Sequence, residues 1–188
     1  LTRNDAALVL GTLFAVRCSF TGGSLAVSNG FGGGGIRVEG GKLACDRCIV
    51  RGGHAPGQPL FGTLIGGTGL EVTHGDATLT RTTIVGGDVG MVLSFTHYAG
   101  QGLATVDSTV RIAGSASDRV APGQGGTVPS NGVVATGAGS VVVHGGIQVT
   151  STFGNVTFDT AMPTLSIQGT SLPSGELDAQ QQALLRLE

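Results

Sequence analysis

Glycine supplies 35 of the 188 residues and charged side chains only 12%, against about 7% and about 25% in ordinary globular chains. The glycines follow no three-residue period, which excludes collagen, and 40% hydrophobic residues with a net charge of −2 exclude a disordered chain. Near-neutrality removes the basic patch that nucleic acid or an anionic membrane demands, and the longest apolar run, 8–16, is broken by Gly11 and Thr12 and falls far short of the ~18 residues of a membrane span.

The chain opens on Leu1 with no initiator methionine or leader, so the expectation is a mature or excised piece of a longer product. A first repeat begins near Ala6 and carries Arg17-Cys18-Ser19-Phe20-Thr21-Gly22-Gly23. The phrase returns as Arg47-Cys48-Ile49-Val50-Arg51-Gly52-Gly53 and as Arg81-Thr82-Thr83-Ile84-Val85-Gly86-Gly87. Its recurrence marks a repeat architecture. With the copies aligned, Gly35-Ile36-Arg37-Val38 falls on Gly69-Leu70-Glu71-Val72, and Gly41 falls on Gly75.

Each unit predicts three short strands: 36–39, 43–45 and 48–50 in one copy; 70–73, 77–79 and 82–84 in the next. Apolar and polar residues alternate along them, as half-buried strands require. Gly-Gly pairs close each unit at a sharp corner. A looser copy, Leu103-Ala104-Thr105-Val106-Asp107-Ser108-Thr109-Val110, aligns with the second and third strands. Another spans Gly132-Val133-Val134-Ala135 and 140–147. The segments between copies, 24–34, 54–68 and 113–131, read as loops protruding from one corner.

Glycine interrupts every helical pattern between Ala6 and Phe158. The surviving architecture is all-β: a right-handed parallel β-helix of five or six coils over residues 1–160. Residues 161–188 read as a C-terminal cap or linker, or the start of a following domain. Pro163 and Pro173 break the pattern, and 176–188 is helix-like, with Ser174 as cap and Leu177, Leu184 and Leu187 on one face.

Phe20-Thr21-Gly22-Gly23, Gly32-Gly33-Gly34-Gly35-Ile36-Arg37-Val38 and Gly41-Lys42-Leu43-Ala44-Cys45-Asp46-Arg47-Cys48-Ile49-Val50 resemble the repeats of bacterial secreted and surface right-handed β-helix proteins, among them polymorphic outer-membrane and autotransporter-like passengers. The resemblance covers roughly 6–158. It implies a rigid rod outside the cell or on its surface, and it specifies fold more than function, because one rod serves adhesins, passengers and lyases.

Cys18 and Cys48 align on adjacent coils, near enough for a disulfide. A stack of small buried thiols is the other reading, and a third cysteine, Cys45, leaves the count odd. Cys45-Asp46-Arg47-Cys48 has no second pair for zinc and no βαβ context for redox work. Arg17, Arg47, Arg81, Asp107 and His144 align as one polar column, read either as a stripe for an acidic sugar or as a solvated strand edge whose arginines need carboxylates such as Asp46 and Asp76. The column-mates Arg37 and Glu71 suit a cross-strand ion pair.

The acids Glu39, Asp46, Glu71, Asp76, Asp88, Asp107, Asp118 and Asp159 are scattered, without the clustering that pectate lyases and polygalacturonases use. His54, His74, His97 and His144 lack metal-ligand spacing. No catalytic residue, metal or cofactor is expected. The expected function is a non-catalytic module of a larger exported bacterial protein that displays loops or spaces domains, with glycan or another protein as partner. The rivals are a polysaccharide lyase or glycoside hydrolase, and a subunit that assembles end to end.

Overall fold

The computed structural model describes residues 4–24, 30–56, 63–90, 96–159, 166–167 and 170–171. Three parallel sheets contain nearly all the strands. The first orders β1 (Ala7–Val9), β4 (Ile36–Glu39), β7 (Leu70–Thr73), β10 (Leu103–Val106), β13 (Val133–Thr136) and β16 (Thr152–Gly154). The second orders β2 (Thr12–Val16), β5 (Lys42–Asp46), β8 (Asp76–Thr80), β11 (Thr109–Ala113), β14 (Val141–Gly145) and β17 (Val156–Phe158). The third orders β3 (Ser19–Thr21), β6 (Ile49–Arg51), β9 (Thr83–Val85), β12 (Arg119–Ala121) and β15 (Gln148–Val149).

Every one of these strands pairs with its counterpart one turn away, so the chain is a parallel β-solenoid of about four turns. The expectation of five or six coils counts strands that continue the first two sheets without a complete turn. From Leu103 to Val133 the chain takes 30 residues, but from Val133 to Thr152 only 19, because β15 runs almost directly into β16. Beyond the solenoid, β18 (Ser166–Ile167) and β19 (Thr170–Ser171) pair antiparallel. The helix-like reading of 176–188, with Ser174, Leu177, Leu184 and Leu187, lies outside the described residues, as do Pro163 and Pro173.

Alternation decides what goes inside. Ile36, Leu70, Leu103 and Val133 are register partners in successive turns and all fully buried. Leu43, Ala77, Val110 and Val142 do the same in the second sheet, and Val50, Ile84 and Val120 in the third. Each such Val, Leu or Ile side chain contributes ~1.5–3 kcal/mol on leaving water.

The two corners between these sheets share one local chemistry. At each, a residue with positive φ turns the chain: Gly40, His74, Asp107 and Gly137 at the first, Arg17, Arg47, Arg81 and Gly146 at the second. Where a small hydroxyl or thiol follows, it donates back to the carbonyl two residues earlier. Ser108 reaches Val106 at 2.6 Å, Thr82 reaches Thr80 at 2.9 Å, and Cys48 reaches Asp46 at 3.4 Å. That likeness misaligns the fourth copy in the sequence. Asp107-Ser108 imitates Arg81-Thr82, yet 103–106 is a first-sheet strand paired with β7, and 109–113 is a second-sheet strand paired with β8. The third strand is β12, inside the segment 113–131 that reads as loop.

Beyond the third sheet the chain leaves the main core through Gly-Gly, forms an arm, and returns through a second Gly-rich segment. Outgoing and returning segments interleave. Gly33 N–H donates to Gly23 C=O (2.8 Å), Gly53 to Gly33 (2.7 Å), Gly67 to Gly53 (3.0 Å), Gly87 to Gly67 (2.7 Å), Gly100 to Gly87 (2.8 Å) and Gly123 to Gly100 (2.9 Å). This single file of peptides runs along the stack. It forms a neck with the main core on one side and a smaller core of Ala55, Leu64 and Val89 on the other.

The neck has no room for a side chain: a Cβ on Gly67 collides with the Gly33 carbonyl and one on Gly53 with the Gly23 carbonyl, whereas one on Gly11 meets nothing within 4 Å. Gly67→Ala is therefore expected to cost at least ~2 kcal/mol, an overpacking against backbone that cannot rotate away. Gly11→Ala should be neutral or stabilising by up to ~1 kcal/mol. Urea unfolding of the two variants measures the contrast.

Candidate functional site

Three of the five residues in the expected polar column share a corner. Arg17, Arg47 and Arg81 succeed one another, their amides donating to the carbonyls of Asp46 (2.9 Å), Thr80 (2.9 Å) and Ala113 (2.8 Å) one turn on. The next occupants are Gly114, whose amide donates to Gly145, and then Gly146. Asp107 lies at the other corner, after His74, with Nε2 and Oδ2 3.9 Å apart. His144 lies within β14, in register with Ile112, Leu79 and Cys45. The five-residue stripe is thus three arginines, one acid at another corner and one histidine of the interior column.

Arg81 has a structural task. Its Nε (3.2 Å) and Nη2 (2.5 Å) both reach Oδ1 of Asp46, which is 3% exposed. Asp46 Oδ2 is buried without a partner among the described residues. A carboxylate this far out of water is costly to the fold unless a cation is paired with it, so Arg81 is committed to the fold. Arg37 and Glu71 are register partners as expected, and Arg37 also pairs with Glu39 and lies 4.0 Å from Asp5.

Cys18 and Cys48 occupy successive turns, with the Cys18 amide donating to the Cys48 sulfur at 3.5 Å. All three cysteines are free thiols, Cys18 exposed and the others buried. The corner also brings Cys45 and Cys48 together. The hydrogen bond from the Cys45 thiol holds Cys48 down at about 7, against the opposing effect of burial. The same contact, followed by burial, pushes Cys45 well up. Column alignment pairs Cys48 with Cys18 alone and does not show this contact across the turn.

The arm side carries a concavity lined by uncharged described residues. Phe31, Ile65, Tyr98 and Val128 form a ladder of parallel bridges from turn to turn. The ladder is held by Gly66 N–H on the Tyr98 carbonyl (2.9 Å) and Tyr98 N–H on the Leu64 carbonyl (3.0 Å). Beneath it His97 is fully buried; the Leu64 amide donates to its Nδ1 at 3.2 Å, so Nε2 carries the proton. Beside the ladder opens a cavity of about 460 Å3 whose polar side chains include Thr68, Gln101, Ser130 and Asn131, with no charged side chain among the described residues that line it.

Reading the sequence for charged columns misses this ladder. The signal is there in Phe31-Gly32-Gly33, Ile65-Gly66-Gly67 and Tyr98-Ala99-Gly100: one large apolar residue before two small ones, at the repeat spacing.

Among the described residues, no three of His, Cys, Asp and Glu come together as a metal-holding group, and no helix is long and apolar enough to cross a membrane. No protein-family model matches the chain, and neither does any curated protein or solved structure.

His144 gives a pH test of the interior assignment. Its ring packs 5.3 Å from that of Phe158, and Nδ1 is buried without a partner among the described residues. Burial lowers its pKa from 6.5. The folded state thus binds fewer protons than the unfolded chain below that value. The His144 contribution to stability should be level above pH 6.5 and fall as pH drops from there through the lowered folded pKa. In His144→Leu this loss should vanish, as read from urea midpoints across the window.

Proposed function

We propose that this chain is a non-catalytic module of a larger exported bacterial protein, outside the cell or on its surface. It is a stiff solenoid that presents an arm-side ladder and the cavity beside it to a glycan or protein partner. The carrying observation is the glycine neck. It fixes each arm to the core by two backbone hydrogen bonds per turn, so the ladder of Phe31, Ile65, Tyr98 and Val128 is held in place before any partner arrives. Preorganisation of this kind spares a binding surface the entropy of ordering its loops.

The likeness of the glycine-rich repeats to bacterial surface β-helix proteins supports export. The dispersal of the described acids and the commitment of Asp46 to Arg81 support a role without turnover, since lyases and hydrolases of polysaccharide need converging carboxylates.

Incubation with a panel of neutral and acidic polysaccharides, with and without Ca²⁺, tests the reading. The expected result is no new reducing ends and no unsaturated products. Sustained turnover that copurifies with the folded chain and disappears when one acid is replaced by its amide would overturn it in favour of a lyase or hydrolase.

A further inference from the structure

The ladder has a chemistry that narrows the partner, if the display reading holds. Phe31 and Tyr98 are both 39% exposed, face the same side, and sit two turns apart with Ile65 between them. One turn rises about 4.8 Å, so the rings lie about 10 Å apart along the stack. That is close to the length of a disaccharide in an extended β-linked chain, in which alternate pyranose rings present the same face. An aromatic ring offers the flat apolar surface that the C–H face of a pyranose covers.

The polar lining completes the match. Gln101 and Asn131 line the cavity together with Tyr98. Each carboxamide both donates and accepts, as a pair of vicinal hydroxyls does. Neither side chain is engaged by another described residue. Ser130, by contrast, already donates to the Ala99 carbonyl at 2.6 Å. No cation is among the described residues that line the cavity, so none of them would repay a uronate or sulfate for its lost water. An apolar floor, a few placed polar groups and a preformed shape are what a small-molecule groove needs.

We propose that the Phe31–Ile65–Tyr98 ladder, together with the cavity that opens at its Tyr98 end, binds an uncharged, extended β-linked polysaccharide. The chain lies along the solenoid axis, sugar faces stack on Tyr98 and Phe31, and hydroxyls bond to Gln101 and Asn131.

Affinity electrophoresis and calorimetry with mixed-linkage β-glucan, β-mannan, dextran and polygalacturonate test it on the intact chain. The neutral β-linked polymers should retard the protein, while dextran and polygalacturonate should not. Tyr98→Ala and Phe31→Ala should each weaken binding at least tenfold, and Gln101→Ala several-fold.

Tyr98→Leu guards against a folding artefact, because it keeps apolar bulk in the ladder and removes only the ring face. It should fold with an unchanged melt and still lose binding, whereas an apolar protein segment docked in the groove would tolerate it. Leu8→Ala, an exposed apolar change away from the groove, should bind like the parent. Absence of binding to either neutral β-polymer at millimolar sugar, preference for polygalacturonate, or indifference to both Tyr98 variants would overturn the proposal. None of these requires turnover, so the groove can fail while the non-catalytic reading stands.

Discussion

Three turns of this solenoid each pass twice through one narrow gap, the next enters it at Gly123, and only peptide groups fit there. The amides of Gly33, Gly53, Gly67, Gly87, Gly100 and Gly123 each donate to the glycine carbonyl before them in the stack. Outgoing and returning segments thereby alternate in one continuous file. A buried peptide left unpaired costs about as much as a lost hydrogen bond, so this file also satisfies backbone that would otherwise be stranded between two cores. Glycine is required because any Cβ here strikes backbone, and backbone has no rotamer with which to yield. The entropic penalty of so much glycine is offset by closing two cores with one wall.

That wall organises the rest. On one side, Ile36, Leu70, Leu103 and Val133 stack in register within the first sheet. On the other, Ala55, Leu64 and Val89 form a second small core beneath the Phe31–Tyr98 ladder. The arms are held from turn to turn, which makes the ladder a surface rather than a set of loops. Charge plays a smaller part. Arg81 is tied to a nearly buried Asp46, and the mutual contact of Cys45 and Cys48 stays inside the corner where the chain turns.

In the two copies that run from Ile36 and from Leu70, strand positions and register were legible in the sequence because alternation and glycine spacing report them directly. Ile36 on Leu70 is a consequence of that spacing. The corner identities were not. Asp107-Ser108 and Arg81-Thr82 solve the same turning problem, a left-handed residue followed by a side chain that bonds back, so they look alike while belonging to different corners. His144 escaped for a related reason. A polar residue in a degenerate copy reads as surface, yet its register partner is Ile112 and its ring rests against Phe158. The arms read as loops because their pairing consists of single bridges, too short to leave an alternating pattern.

Native-state hydrogen exchange, resolved by residue, reports most directly on the neck. If the glycine file joins the two cores, the amides of Gly33, Gly53, Gly67, Gly87 and Gly100 should exchange only through the opening that exposes Leu70 and Leu103, with protection at the global limit. Exchange of these glycines at the rate of exposed loop amides, while Leu70 and Leu103 stay protected, would contradict the account: the neck would then open on its own and the arms would not be held.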